Sequence, residues 1–560
     1  MFPARVRAVA GRSGLVAGTL SPIANRAGID ALQQGGTAAD AAAVVALTQI
    51  TTALGSYVSY AGVMELVYYD AGTRKVYALD GGWNSYLGEK HTATIPTSDM
   101  GSLSVAKADA GGAQGRKTLV PGFMAGIAAM HERFGKLKFS ELFEPAVWYA
   151  ENGITVSRLL AAYFGMRQKY LARTPEGRRF MEQAGKPLPA AGDRFYQREL
   201  AKTLREVSRH GAAYMYTGAW GRRFVEAVRA KGGQATMTDM KRYRPLWEEA
   251  LSTTFDGRRV YAPGRTSEGG TQVLAALNLA EELKLDRMPP YYENWETFLG
   301  LSTLLQFVEL GPFTPPEAAD FQRANGLSFS SGDRVTKAYA KAMAPMLARL
   351  YERVPRQQDR ELAPEPPHHS DAIVVVDQWG NVAALVHSIN TVTWGTTGIV
   401  VGGVPIPDPA GFQQARLAAG QPGDRLPSDM APIIVMAADR PALAVATVGS
   451  SLVAETTRIL LGTIGNGLDI ETIMKAPPLL YNFEPLRPGE TPLRREQFVP
   501  EKGYTPEFLG ELRNSGVKVS EKTTQQVRTL KGTAVVLLIE PQLGFRSVET
   551  PGSFGFATAY

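Results

Sequence analysis

The stretch Pro364–Asn390, PEPPHHSDAIVVVDQWGNVAALVHSIN, concentrates the groups best placed to do chemistry. A proline-rich segment ends in His368 and His369, and Ser370 then opens an apolar run that reads as a strand. A serine hydroxyl becomes a strong nucleophile only when a base removes its proton. When serine is the first residue of a chain, its own α-amine can be that base. An internal serine reaches this state only if the preceding bond breaks. Its Oγ attacks the carbonyl of residue 369, the amide becomes an ester, and water releases a new amino terminus. The cut would fall between His369 and Ser370. A surface linker feeding a rigid strand suits such a step, because the sheet then holds the nucleophile while the severed end can move away. Ser370 could equally be no more than the first residue of a strand, and local chemistry alone favours that plainer role.

Other chemistries find little support. The chain has no cysteine, which excludes disulfides, thiolate catalysis and Cys-ligated metal centres. Its six histidines are His91, His131, His210, His368, His369 and His387. Only His368 and His369 adjoin, and neighbours in a linker make a poor metal site, so no metal is expected. No G-x-G-x-x-G follows a strand, GAQGRKT at Gly112–Thr118 lacks the Gly-Lys pair of a P-loop, and neither H-E-x-x-H nor G-x-S-x-G occurs. No cofactor is therefore expected. The net charge of +6 is scattered and forms no basic stripe, which argues against a nucleic-acid partner and leaves room for an anionic substrate. The amino terminus, MFPARVRAVAGRSGLVAG, lacks the apolar core of a signal peptide. The expectation is a cytoplasmic protein as the sequence stands, or a periplasmic or secreted one if a leader was removed. No apolar run approaches the ~18 residues of a membrane span.

The elements that must position Ser370 are legible from periodicity. SPIANRAGIDALQQGGTAADAAAVVALTQITTAL predicts two helices broken at Gly35-Gly36. Val63–Tyr69 and Lys75–Leu79 predict a hairpin turning at Asp70–Thr73. Residues 155–250 read as mostly helical. Residues 287–369 read as the least regular part, with one helix near Val335–Val354 and then the linker. Beyond Ser370, DAIVVVD, NVAALVHSI, APIIVMAAD, PALAVATVGS and TAVVLLIE predict short strands, interrupted by a helix over Ala454–Ile464. Strand-rich layers framed by helices argue for an α+β sandwich over a doubly wound parallel sheet.

SDAIVVVDQWGNVAALVHSINTVTWGTTGIVV resembles the start of the small subunit of the γ-glutamyltransferases, whose pattern is T-T-H-x-S-V-V-D-x-x-G-N-A-V-S followed by T-x-N. Aligned on Asp377, Gly380 and Asn381, Ser370 falls on the family's nucleophilic threonine. The resemblance runs along most of the chain. It takes in GGTAADAAAVVALTQ, VYALDG, LVPGFMAGIAAMHERFGKL, the GGQATMTDMKRYRP segment, RLPSDMAPIIV and the terminal FATAY. It implies the N-terminal nucleophile hydrolase architecture, a four-layer αββα sandwich. It implies self-cleavage into a large-subunit-like region, 1–369, and a small-subunit-like region, 370–560, that form one intertwined domain and stay associated. A small amide or peptide-like substrate is implied, and a homo-oligomer is compatible with it. Serine keeps the hydroxyl that threonine supplies and loses only a methyl that restrains χ1.

The resemblance also assigns roles. Ser388 matches the threonine that supports the nucleophile, and Asn390 an asparagine that contacts the substrate amine. Ser428 keeps the first of two carboxylate-binding serines, and Asp429 replaces the second. Gly449 and Ser450 stand at the start of the oxyanion-hole segment, whose glycine pair is missing. Gly82 occupies the place of the arginine that grips the substrate α-carboxylate, and Asp408 is the sole acid left from the amine-binding segment. A cation replaced by glycine and a hydroxyl replaced by a carboxylate would invert the charge preference of the pocket, leaving Asp429 free to hold an amine or a neutral donor. Three readings follow: an autoprocessed amide hydrolase or acyltransferase for an acyl group other than γ-glutamyl; a γ-glutamyl enzyme with a rebuilt pocket; and an uncleaved binding or structural protein. Asp371 and Ala372, standing where the family has threonine and histidine, favour the third.

Overall fold

The computed structural model describes residues 6–98, 113–183, 185–310, 315–352, 370–480, 496–540, 542–550 and 554–560, without the side chains at 310, 315–318 and 348–352. Two seven-stranded antiparallel sheets make its centre. In the first, the strand order is Gly555–Ala559, Leu15–Thr19, Asp371–Val376, Val382–Ser388, Val63–Asp70, Lys75–Gly81 and Leu246–Glu249. In the second it is Arg7–Gly11, Gly544–Glu549, Thr533–Glu540, Arg440–Val448, Ile433–Ala437, Arg258–Ala262 and Leu251–Phe255.

Side chains alternate across a strand, so a strand buried on both faces feeds two cores. The strand Asp371–Val376 does so: Ile373 and Val375 join one apolar cluster, Ala372, Val374 and Val376 another. On the second sheet, Leu443 and Val445 face outward while Ala444, Ala446 and Val448 enter the same inner cluster as Val374. The inner cluster is the seam between the sheets. The outer ones lie under helices: Pro22–Gln33, Ala38–Thr52 and Phe123–Phe134 on the first sheet, and Glu268–Glu282, Trp295–Leu310 and Leu452–Leu460 on the second. The architecture is the four-layer αββα sandwich. Both sheets draw strands from either side of Ser370, so a division there separates no compact body.

The helix Ala38–Thr52 is buried nearly all round, and its alanines keep it close to the sheet. Its first turn is closed by a capping box in which the Thr37 hydroxyl accepts from Asp40 N and the Asp40 carboxylate accepts from Thr37 N at 2.9 Å. Asp377, just past the Ser370 strand, accepts the Ala38 N–H at 2.8 Å and both Trp379 N and Asn381 N at 3.0 Å. One carboxylate thereby fixes the tight turn to the next strand and docks the helix amino terminus onto it.

The helix pair, the hairpin and the post-370 strands lie where the sequence places them. Two expectations are corrected. Residues 287–369 hold the helices Trp295–Leu310, Pro315–Asn325 and Lys337–Glu352, so the region is more regular than its prolines suggest. The mostly helical reading of 155–250 ends in an edge strand, Leu246–Glu249. The proline-rich linker and His369 lie outside the described residues.

Candidate functional site

Ser370 immediately precedes a buried central strand and is itself half-buried. Asp371 pairs with His387 across the ladder, which sets Ser370 opposite Ser388. The Ser370 hydroxyl donates to Ser388 Oγ at 2.7 Å. Ser388 Oγ also accepts the Asn390 N–H at 2.9 Å. Asn390 has φ +48°, a left-handed conformation that asparagine tolerates better than most residues, and it turns the chain away from the strand end. Gly62 makes room for this corner, since a Cβ there would lie 2.5 Å from the Ser388 carbonyl oxygen. Ser370, Ser388 and the Asn390 N–H thus lie together at one corner. A hydroxyl can rotate, so Ser388 can accept from Ser370 at rest and donate to it once its proton has left.

Ser428 precedes the strand Ile433–Ala437 of the second sheet. It bridges to Ser267, its N–H donates to Thr266 O at 3.0 Å, and its Oγ accepts the Met430 N–H at 3.2 Å. Asp429 is not an unpaired carboxylate. Arg416 holds it through both terminal nitrogens, with Nη1 at 2.9 Å from Oδ2. A cation from a distant part of the chain stands beside Gly82. A Cβ on Gly82 would lie 3.2 Å from Arg425 Cδ, and Arg425 Nη1 pairs with Asp80 Oδ2 at 2.7 Å. The expected inversion of charge is therefore offset by two ion pairs. Asp408 is fully buried, accepting from Thr391 Oγ1, Ser98 Oγ, Thr396 N and Thr396 Oγ1 at 2.5–2.9 Å. It braces the loop after Asn390, with three of these bonds on Oδ2 and that from Thr391 on Oδ1. Gly449, with φ +98°, precedes Ser450 and Ser451, whose hydroxyls donate to the carbonyls of Thr529 and Leu530.

Glu65 is a feature the sequence reading missed. It is wholly buried in the strand beside Ser388, facing the seam between the sheets, with the Ser428 side chain close to its carboxyl. Burial pushes it well above the usual carboxylate range; Asp80 pushes the same way, and Arg425 pulls it down. The only charge within VMELVYY was the available signal. Such a group adds stability below its ordinary range and loses it as pH rises, because the folded chain must keep it protonated. Glu65→Leu is expected to stabilise the protein by roughly 1–3 kcal/mol at neutral pH, with the gain widening as pH rises, in urea titrations at pH 5 and pH 8.

A cleft of about 890 Å³ lies elsewhere, between helices at 175–181, 198–210 and 219–230 and the Val400–Pro405 hairpin, and none of the assigned residues lines it. Among the described residues no cluster of three or more His, Asp or Glu is placed to hold a metal, and no helix is long and apolar enough to cross a membrane.

Two stacked antiparallel sheets between helical layers, with a hydroxyl at the start of a central strand, define the N-terminal nucleophile type of amide-cleaving fold. The family described as Gamma-glutamyltranspeptidase matches residues 24–538, and the chain belongs to that family of amide hydrolases and acyltransferases. A protein of Escherichia coli (strain K12) named glutathione hydrolase proenzyme is 24% identical over 549 residues, covering 92% of this chain and 87% of its own. One of Pseudomonas sp. (strain SE83), named acylase ACY 1 proenzyme, is 28% identical over 291 residues, half of each chain. The crystal structure of cephalosporin acylase from Bacillus halodurans shares the fold at a TM-score of 0.78 and 20% identity, covering 100% of this chain and 98% of that one.

Proposed function

We propose that this protein is a self-processing amide hydrolase or acyltransferase in which Ser370, released as an amino-terminal residue, is the nucleophile for an acyl group other than standard γ-glutamyl. The observation that carries the reading is the 2.7 Å bond from Ser370 Oγ to Ser388 Oγ at the start of the central strand. In processing, Oγ attacks the carbonyl of His369, its proton passes to the departing nitrogen, and water hydrolyses the ester. Fragments 1–369 and 370–560 remain associated because each supplies strands to both sheets. In turnover, the α-amine takes the Ser370 proton, Oγ bonds to the substrate carbonyl carbon, the C–N bond breaks, and the leaving amine takes that proton. Water or an acceptor amine resolves the acyl-enzyme.

The choice of acyl group rests on charge. A free α-carboxylate needs an uncommitted cation near Gly82. Arg425 is there, but each of its nitrogens is engaged: Nη1 with Asp80, Nε with Asn84 Oδ1 at 2.6 Å, and Nη2 with Arg244 O at 2.7 Å. These features support a neutral or cationic acyl group. That Arg425 sits beside Gly82 at all favours a second reading, a γ-glutamyl enzyme with a rebuilt pocket, in keeping with the name of the Escherichia coli relative.

Amino-terminal sequencing of the smaller of two bands, near 40 and 20 kDa in proportion to the 60.5 kDa chain, tests processing; Ser370 should come first. The p-nitroanilides of phenylacetic acid, glutaric acid, lysine and γ-glutamic acid then test the pocket. Phenylacetyl or lysyl release at least tenfold faster than γ-glutamyl release is expected. Faster γ-glutamyl release moves the assignment to the second reading.

A further inference from the structure

Beneath the nucleophile, on the helical side of its sheet, lies a buried acid with no place in the chemistry above. Asp371 is 0% exposed. Its Oδ1 accepts from Thr19 Oγ1 at 2.8 Å, and Thr19 Oγ1 in turn accepts the Ala372 N–H at 2.9 Å. The regular ladder to the strand Leu15–Thr19 stops at the Ile373–Gly18 pair, so this relay through a hydroxyl takes over where main-chain pairing ends. It is the last tie on that side before Ser370. Asp371 Oδ2 is buried without a partner.

Every group around this acid is neutral at working pH. Tyr57, from the segment after the helix Ala38–Thr52, has its phenol pushed well up by burial, then by Asp371 and by Tyr163 behind it. His387, the cross-strand partner, is pushed down to about 3 by burial, and its Nε2 meets Gln49 Oε1 at 2.9 Å. Among the described residues no lysine or arginine acts on Asp371. An ionised carboxylate there would have one good donor, Thr19, for two oxygens, and that is a costly arrangement in a dry site. A protonated acid has its hydrogen on the free oxygen and leaves the relay to Thr19 and Ala372 intact.

We propose that Asp371 is a positioning residue for Ser370: held as a neutral acid, it locks Thr19 over the Ala372 N–H of the nucleophile strand, and loss of its proton loosens the strand end and slows the nucleophile. This rests on the reading of Ser370 as the nucleophile. Burial pushes Asp371 up to about 8, so the loosening falls within a measurable range. Activity should rise with pH as the α-amine loses its proton and fall again as Asp371 loses its own.

The test needs no knowledge of the natural substrate. The full chain is treated with phenylmethanesulfonyl fluoride between pH 6 and pH 10, and the mass of the 370–560 fragment reports Ser370 Oγ displacing fluoride as its proton passes to the α-amine. The wild type should show a bell, falling at least fivefold from its maximum to pH 10. Asp371→Asn, which keeps the acceptor to Thr19 and cannot ionise, should react several-fold more slowly at the optimum yet lose the alkaline fall. Asp371→Ala, without the relay, should react at least tenfold more slowly at every pH. If Asp371→Asn retains the alkaline fall, or if the two variants give superimposable profiles, the proposal is overturned. An uncut wild-type chain, or a fragment that takes no label on Ser370, instead overturns the nucleophile reading. Should Asp371→Ala fail to fold, the Asn profile decides alone.

Discussion

Ser370→Ala is expected to yield a single uncut band of 60.5 kDa and to lower amide turnover by roughly 10⁴-fold or more. The size follows from the double use of one atom. The same Oγ opens the chain and attacks the substrate, so its removal leaves neither an amine at residue 370 nor an oxygen beside Ser388. Alanine fits the half-buried corner without strain, so loss of activity in a folded variant reports chemistry. Ser370→Thr keeps the hydroxyl and should still be cut, whereas Ser388→Ala removes the hydrogen-bond acceptor at 2.7 Å and should slow cutting without preventing it. Intact-mass measurement over several days of storage separates the three. A Ser370→Ala chain that still cleaves before residue 370, or that keeps a tenth of wild-type turnover, would leave the catalytic account without its central atom.

Local pattern revealed the strands because each is written in consecutive residues, whereas the corner at Ser370 was singled out by the family resemblance. DAIVVVD feeds two cores by alternation, and Ser370, Ser388 and Asn390 lie on adjoining strands whose register the turn Asp377–Asn381 fixes. The surroundings of Asp429 and Gly82 were less legible. Whether Asp429 is a free charge depends on Arg416, thirteen positions back on a separate short helix, and whether Gly82 leaves a gap depends on Arg425, which arrives through a loop more than three hundred residues later. Sequence spacing carries no sign of such partners. The terminal strands Arg7–Gly11 and Gly544–Glu549 were missed for a related reason. Arg7 and Arg546 break their apolar pattern, and they are held as strands by pairing with one another. Asp371 stood in plain view, but an acid at the start of a strand reads as an exposed end until burial shows otherwise.

Arg425→Met should destabilise the fold by about 3–5 kcal/mol, because it removes the cation and leaves its carboxylate in place. Asp80 is 1% exposed, pairs with Arg425 at 2.7 Å, and keeps only the Gly82 N–H at 2.5 Å as a separate donor. Glu65 is cross-strand from Asp80 and loses the same counter-charge. The flat guanidinium also faces the Tyr243 ring at 5.0 Å and ties Asn84 to Arg244 O, contacts that a thioether cannot replace. Adding Asp80→Asn to Arg425→Met removes the orphaned charge and should restore at least half of the deficit, whereas Asp80→Asn alone should destabilise. Chains of this size often unfold irreversibly, so urea half-times at fixed temperature are the sound measure. A half-time for Arg425→Met within threefold of wild type at pH 8 would show that Arg425 is not what balances the acids beside Gly82, and the charge argument for the acyl group would fall with it.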